Sequence, residues 1–408
     1  MSSSKPRQGR QRPPAAQDIP GLNVEPITDS AALSEFCAHL AEQPFVTIDT
    51  EFIRDRTYYP RLCLIQAASA ERALAIDPLA EGLDLAPFLE LMQNQSVLKV
   101  FHAARQDLEI FYHLTGLVPG PLFDTQIAAM VCGFGESVGY ERLVQVIARG
   151  SVDKVSRFTD WSRRPLDDRQ IRYALNDVTY LQTIYNHLAE RLERSGRAHW
   201  LNEEMAVLSD PATYDLQPDA AWRRLKIRSR KPRYLAVLIE LATWREEEAQ
   251  RRNMPRAHVL RDEGIYELAA ECPTQPDGLR RLRAVPNGLA DGETGRAILA
   301  AIKRGLARPA EDLPAYTEDA PLPKGLGPLT DLLKTLLRLS CEEHDVAQKL
   351  VATVSELEKI AADDNADVPA LRGWRREIFG STALDLKHGR IGLGARDRAV
   401  QVVRLDKS

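Results

Sequence analysis

Cysteine is scarce in this sequence: Cys37, Cys63, Cys132, Cys272 and Cys341 are the only five in 408 residues, and each stands alone. Without a Cys-x-x-Cys pair or a compact His/Cys cluster, the chain argues against a disulfide framework or a structural zinc site and fits a reducing compartment, expected to be the cytoplasm. No run approaches 18 uncharged apolar residues, so no membrane-spanning helix and no membrane partner are expected. The pattern Gly-x-x-x-x-Gly-Lys-Ser/Thr is absent, which excludes a P-loop ATPase or helicase. Gly133 to Gly139 has a loop's composition but follows a helical pattern rather than a strand, so it does not read as a dinucleotide site. An excess of one charge is lacking too. The 54 Lys and Arg against 58 Asp and Glu leave a net charge of −4, and the bulk balance announces no polyanion. The first residues carry Lys5, Arg7, Arg10 and Arg12 with no acid before Asp18 and no apolar stretch, which argues against a secretory signal. Residues 1–21 therefore read as a disordered basic tail.

What is present is ordinary globular material, 44% apolar and 27% charged, in a chain too long for one core. Short apolar runs bounded by turn or charged residues predict strands over 45–50, 61–68, 72–77 and 97–102, and helical patterns cover 30–42, 85–94, 104–115 and 124–132. Three consecutive strands followed by helix, strand and helices predict an α/β domain with a mixed sheet over 22–208. From about 139 strands disappear. Asp167 offers an N-cap and Gln170 its capping-box partner, opening a helix that runs past Leu181. Two helical modules are expected next, at 209–305 and 329–380, because Val259 to Ala269 and Val351 to Ala361 match at every core-type position, an offset of 92 residues. A Pro-rich linker over 306–328 would separate them, and the alternation after Gly380 predicts a hairpin-like tail over 381–408. His344-Asp345, on a helix without other spaced histidines, reads as solvated surface.

Four acids break this pattern. Asp49 and Glu51, at i and i+2 on a predicted strand, leave the same face, where two carboxylates about 4 Å apart repel by roughly 4 kcal/mol at an effective dielectric of 20. Asp107 falls in the first turn of a helix, where a carboxylate is also an ordinary terminal charge. Asp177 shares a helix face with Tyr173 among Ile171, Ala174, Leu175, Val178 and Leu181. Separately each has a bland structural explanation; together they have the composition of a site for hard divalent ions such as Mg²⁺. Two such ions would clamp the attacking and leaving oxygens of a phosphoryl displacement. Tyr173, with an ordinary pKa near 10, is a poor base and a better water-orienting donor. The basic run from Arg223 to Arg233, flanked by Trp222 and Tyr234, is either a solvated face or a contact with phosphates.

The motifs Ile48-Asp49-Thr50-Glu51-Phe52, Val100-Phe101-His102 through Asp107, Phe123-Asp124-Thr125, Thr159-Asp160-Trp161 with Arg164-Pro165-Leu166, and Tyr173-x-x-x-Asp177 resemble, in order and spacing, the ribonuclease D family of the DEDD exonuclease superfamily, in its tyrosine-bearing subgroup. The resemblance implies a ribonuclease H-like exonuclease domain. It also implies that Asp49, Glu51, Asp107 and Asp177 hold two divalent ions, Mg²⁺ or Mn²⁺, and that Tyr173 positions the water. One ion would sit on Asp49 and Asp177 and the other on Asp49, Glu51 and Asp107. The two helical modules resemble HRDC domains, which implies nucleic-acid binding. Phe52, His102, Arg228, Arg230, Lys231 and Arg233 are the candidate contacts, although for His102 beside the second acid a core reading stands slightly ahead. The implied activity is that of a monomeric 3′–5′ exoribonuclease releasing nucleoside 5′-monophosphates from RNA with a free 3′ end, tRNA precursors foremost. A DNA exonuclease and a non-catalytic nucleic-acid-binding scaffold are the alternatives.

Overall fold

The structure is a computed structural model, and it describes residues 24–153, 159–285, 287–290, 292–314 and 323–405. The expected tail at 1–21 and part of the expected linker at 306–328 lie outside the described residues. The first unit runs α1 (Ser30–Ala41), β1 (Phe45–Ile53), β2 (Arg61–Ala68), β3 (Ala73–Ile76), α2 (Ala86–Gln93), β4 (Leu98–Phe101), α3 (Arg105–Thr115), β5 (Leu122–Asp124), α4 (Thr125–Val131), α5 (Tyr140–Leu143), α6 (Asp168–Ser195) and α7 (Trp200–Ser209). The sheet order is β3-β2-β1-β4-β5. β1 pairs antiparallel with β2 and parallel with β4, giving the mixed sheet expected from the sequence. β5 was not expected: three residues are too few for a period-2 pattern to register.

Alternation along β1 divides its side chains between two layers. Val46 and Ile48 join Leu33, Phe36, Leu108 and Phe111 in a core under α1 and α3. The opposite face lies under α6, where the Thr47 hydroxyl donates to the Val178 carbonyl at 2.8 Å and Gln182 donates to the Ala68 carbonyl at 2.8 Å. α6 starts as its sequence dictates. The Asp167 carboxylate accepts from the Gln170 amide at 2.8 Å while the Gln170 side chain accepts from the Asp167 amide at 3.0 Å.

Two sets of helices follow: α8 (Pro232–Arg251), α9 (Arg256–Val259), α10 (Asp262–Glu271), α11 (Pro276–Arg280), α12 (Asn287–Ala290) and α13 (Glu293–Ala307), then α14 (Gly327–Glu343), α15 (Gln348–Val351), α16 (Val354–Ala362), α17 (Gly373–Arg375) and α18 (Ser381–Lys387). α9 and α15, and likewise α10 and α16, begin 92 residues apart, as the sequence repeat requires. The tail differs from expectation. Residues 381–387 are helical, with Ala383 and Leu386 buried one turn apart, and only β6 (Ile391–Arg396) and β7 (Ala399–Arg404) form a hairpin. The alternation of Leu384, Asp385, Leu386 and Lys387 mimics a strand but serves a helix already under way.

Both helical sets are fastened to the first unit. The second shares one core with α4, α6 and α7, in which Leu188, Trp200 and Leu336 pack together with Phe379. Trp200 stacks on Trp374 at 4.2 Å and 8°, and the buried Arg375 guanidinium spans Glu203 and Glu204. Asp345 is exposed, as read from the sequence, and forms a surface ion pair with Arg191 of α6 at 2.5 Å. The first set is held through the β1–β2 loop. Tyr58 donates its hydroxyl to Glu246, which is 1% exposed and also paired with Arg256 at 2.5 Å. Burial opposes ionisation of Glu246, but the bonds from Arg256 and Tyr58 win and hold its pKa below the ordinary carboxylate value.

Candidate active site

Asp49 and Glu51 project from β1 toward α6, and α6 supplies Asp177. One ligand oxygen of each lies within 4.8 Å of the others. All three carboxylates are half-buried. At that separation each ionised pair repels by roughly 3.5 kcal/mol at an effective dielectric of 20. Burial, then the charge of Asp177, push the Asp49 carboxyl up to about 8 against the small opposing effect of a backbone bond from Thr50. Gln66, opposite Asp49 across the β1–β2 pair, is fully buried with neither amide atom hydrogen-bonded.

Tyr173, one turn before Asp177 and 9% exposed, is hydrogen-bonded to it. Burial, followed by the charges of Asp177, Glu51 and Asp49, drives its pKa further up, so the hydroxyl keeps its proton at every pH of interest. It is a donor, not a base. Trp161 backs the ring at 6.1 Å.

Asp107 is outside the trio of interlocking carboxylates. It is buried in the first turn of α3 and accepts a 2.5 Å bond from the Thr50 hydroxyl, on the face of β1 opposite Asp49 and Glu51. Burial and then repulsion from Asp49 raise its pKa well above the ordinary value despite that bond. The two acids therefore sense each other across the strand. The donor set, four carboxylates with a protonated tyrosine and no sulfur or imidazole, fits hard divalent cations.

Two further residues support the site, Asp124 from the Phe123-Asp124-Thr125 motif and Tyr140, which the sequence did not single out. Asp124, 3% exposed, accepts from the Ala103 and Ala104 amides at 3.0 and 2.9 Å and so fixes the turn that launches α3. Ala103 adopts φ +58° there. The Tyr140 hydroxyl donates to the Asp177 carbonyl at 2.6 Å, pinning α6 where the acid emerges. A carboxylate at the N-cap position directly before α4 is a readable sign for Asp124; nothing local marks Tyr140.

The candidate nucleic-acid contacts scatter. Phe52 packs on the core beneath α1 and α3, away from the acids, because it alternates with Glu51. His102 binds Thr125 through Nδ1 at 3.0 Å and buries Nε2, which favours its core reading. Arg228, Lys231 and Arg233 line an open cavity of about 670 Å³ in the first helical set, with Tyr234, Tyr266 and Arg283. Arg228 lies 3.9 Å over the Tyr266 ring and forks onto Glu263 at 2.8 and 2.9 Å. Arg230 does not line that cavity. Trp222 and Tyr234, which flank the basic run, are core residues.

A family model described as 3′–5′ exonuclease matches residues 24–193, and an HRDC domain model matches residues 235–302. The ribonuclease D of Nitrobacter hamburgensis is 51% identical over 382 residues, covering 94% of this chain and 99% of that protein. The chain belongs to the ribonuclease D family. The ribonuclease D of Acidiphilium cryptum is 50% identical over 382 residues, 93% of this chain and 97% of its own. The crystal structure of Escherichia coli RNase D aligns with a TM-score of 0.78 at 29% identity, covering 90% of this chain and 99% of that one. With the α/β exonuclease unit and the helical region behind it, this ribonuclease D family member is a hydrolase, a 3′–5′ exoribonuclease.

Proposed function

We propose that Asp49, Glu51, Asp107 and Asp177 hold two divalent ions, Mg²⁺ or Mn²⁺, and that Tyr173 orients the attacking water. The observation that carries this reading is the trio of carboxylates within 4.8 Å of one another, with a tyrosine hydrogen-bonded to one of them. Asp49 and Asp177 serve one ion, and Asp49, Glu51 and Asp107 the other. Ions bound there supply the positive charge that activates water and stabilises the leaving oxygen of an in-line displacement. Tyr173, its proton directed at Asp177, hydrogen-bonds the incoming water through its hydroxyl oxygen and sets its line of attack on the terminal phosphorus. The water oxygen bonds to phosphorus as it gives up a proton to solvent, the bond to the 3′ oxygen breaks, and that oxygen takes up a proton from solvent. The products are a nucleoside 5′-monophosphate and a chain one nucleotide shorter.

The substrate proposed is structured RNA with a 3′ extension, tRNA precursors first. The Escherichia coli relative is described as an exoribonuclease involved in structured RNA processing, which supports this choice. The 209–305 and 329–380 modules would hold such RNA, the first through Lys231, Arg233 and the cavity they line. The protein would act as a monomer in the cytoplasm, in keeping with five buried free thiols; among the described residues no helix is long and apolar enough to cross a membrane. Incubation with 3′-extended tRNA, and with RNA and DNA strands of the same sequence, tests the proposal. It requires trimming of the extension and faster loss of RNA; faster loss of DNA would replace it with the DNA exonuclease.

A further inference from the structure

β1 and the residue that follows it are laced to α3 by two side-chain rungs. In the first, Thr50 donates to Asp107. In the second, the Arg54 guanidinium forks onto Glu109, with Nη1 to Oε2 and Nη2 to Oε1 both at 2.8 Å. Phe52 packs on the core between them. Glu51 lies three residues before Arg54, which directly follows β1, and Asp107 lies two before Glu109 on the helix. The planar fork fixes both distance and orientation in a way that a single ammonium contact does not. The second rung is itself braced. Glu109 Oε1 lies 3.8 Å from His113 Nε2, and the His113 ring packs edge-on against Tyr59 at 4.4 Å. Tyr59 and Tyr58 in turn give their backbone amides to Asn253 of the first helical set, both at 3.1 Å.

We propose that Arg54 and Glu109 are positioning residues for the metal site, fixing the strand end that carries Glu51 against the helix turn that carries Asp107. The inference rests on the reading of those acids as metal ligands. Asp107 and Glu109 share the first turns of α3, so the fork on Glu109 and the Thr50 bond on Asp107 together hold that end of the helix against β1 and the residue that follows it. Residues that orient ligands from behind affect metal affinity by about 10–100-fold. Arg54 is 35% exposed at its side chain and Glu109 14%, so neither is a deep core residue whose loss must unfold the chain.

The test is calorimetric titration of full-length protein with Mn²⁺ in the absence of RNA, for the native chain, Arg54→Gln, Glu109→Gln, the double variant, Arg54→Lys and Asp49→Asn. The expected result is binding weakened about tenfold or more in each Gln variant. The double variant should be no weaker than the weaker single one, because both changes remove one pair. Arg54→Lys should fall between native and Arg54→Gln. At saturating Mn²⁺, kcat on a short RNA should return to within a few-fold of native, which a loss of substrate contacts would not allow. Native Mn²⁺ affinity in both Gln variants, or a raised KM for RNA with unmoved metal affinity, overturns the clamp while Asp49→Asn still abolishes binding. If Asp49→Asn binds Mn²⁺ as the native chain does, the ligand reading fails, and the clamp with it.

Discussion

Replacing Asp49 by asparagine should stabilise the metal-free protein while removing its activity. The Asp49 carboxyl is pushed up to about 8 from its ordinary 3.8 by burial and by Asp177. The folded state therefore keeps a proton that the unfolded chain has lost, and stability falls as pH rises through the window from about 4 to about 8. Between pH 5 and pH 8, three pH units at about 1.4 kcal/mol each set an upper bound of about 4 kcal/mol. Half-burial and the shared titration with Asp177 reduce this to about 2–4 kcal/mol, consistent with one removed repulsion of roughly 3.5 kcal/mol. Asparagine does not titrate, so its advantage over the native chain should widen across that range. For a chain of this length the widening corresponds to about 2–5 °C in transition temperature. Calorimetry of EDTA-treated protein at pH 5 and pH 8 measures it, and Mg²⁺ added at pH 8 should close the gap by stabilising only the native chain. An equal gap at both pH values, or a variant less stable than the native chain at pH 8, would refute the reasoning.

Other perturbations test neighbouring parts of the account. Tyr173→Phe keeps the carboxylates but loses the water-orienting hydroxyl; kcat should fall by about a hundredfold with Mn²⁺ affinity unchanged, and a tenfold weaker metal affinity would make the tyrosine structural. Glu246→Ala strands the Arg256 guanidinium and the Tyr58 hydroxyl at the junction with the first helical set and should cost about 3–5 kcal/mol by thermal unfolding; a loss under about 1 kcal/mol would show that the junction is weak. Gly305→Ala would place a methyl 2.6 Å from the Val237 Cα where α13 crosses α8. That overlap should cost about 1–3 kcal/mol, whereas unchanged stability would mean that the helices part easily. A chain ended before α14 would bare the core that α6 and α7 share with the second helical set, and should be insoluble or lack a cooperative transition. A soluble, fully active truncation would contradict the shared core.

The acids were the most readable part of the sequence, because a strand's period of two places Asp49 and Glu51 together without knowledge of the fold. α6 was equally open to reading, its start written in Asp167 and Gln170 and its face in Tyr173 and Asp177. Asp107 was weaker. Its anchor is Thr50, whose hydroxyl faces away from the other acids, and only the parallel crossover from β4 to α3 brings the two together. Phe52 packs on the face of β1 opposite Glu51, because proximity in sequence says nothing of the side a residue leaves from. The docking of the helical sets lay beyond sequence reading altogether, since Trp200 and Trp374 stack across 174 positions of chain with no local pattern linking them. The tail misled for a different reason: four alternating residues satisfy a strand's pattern and a helix's equally well.

The measurement that bears most directly on the central claim is the product of one RNA. A single strand with a 3′-hydroxyl and a 5′ label, incubated with the native protein and Mg²⁺, should shorten one nucleotide at a time from the 3′ end and release only nucleoside 5′-monophosphates, while Asp49→Asn and Asp177→Asn, folded and intact, release none. Nucleoside 3′-monophosphates, internal fragments, or undiminished release by either variant would contradict it.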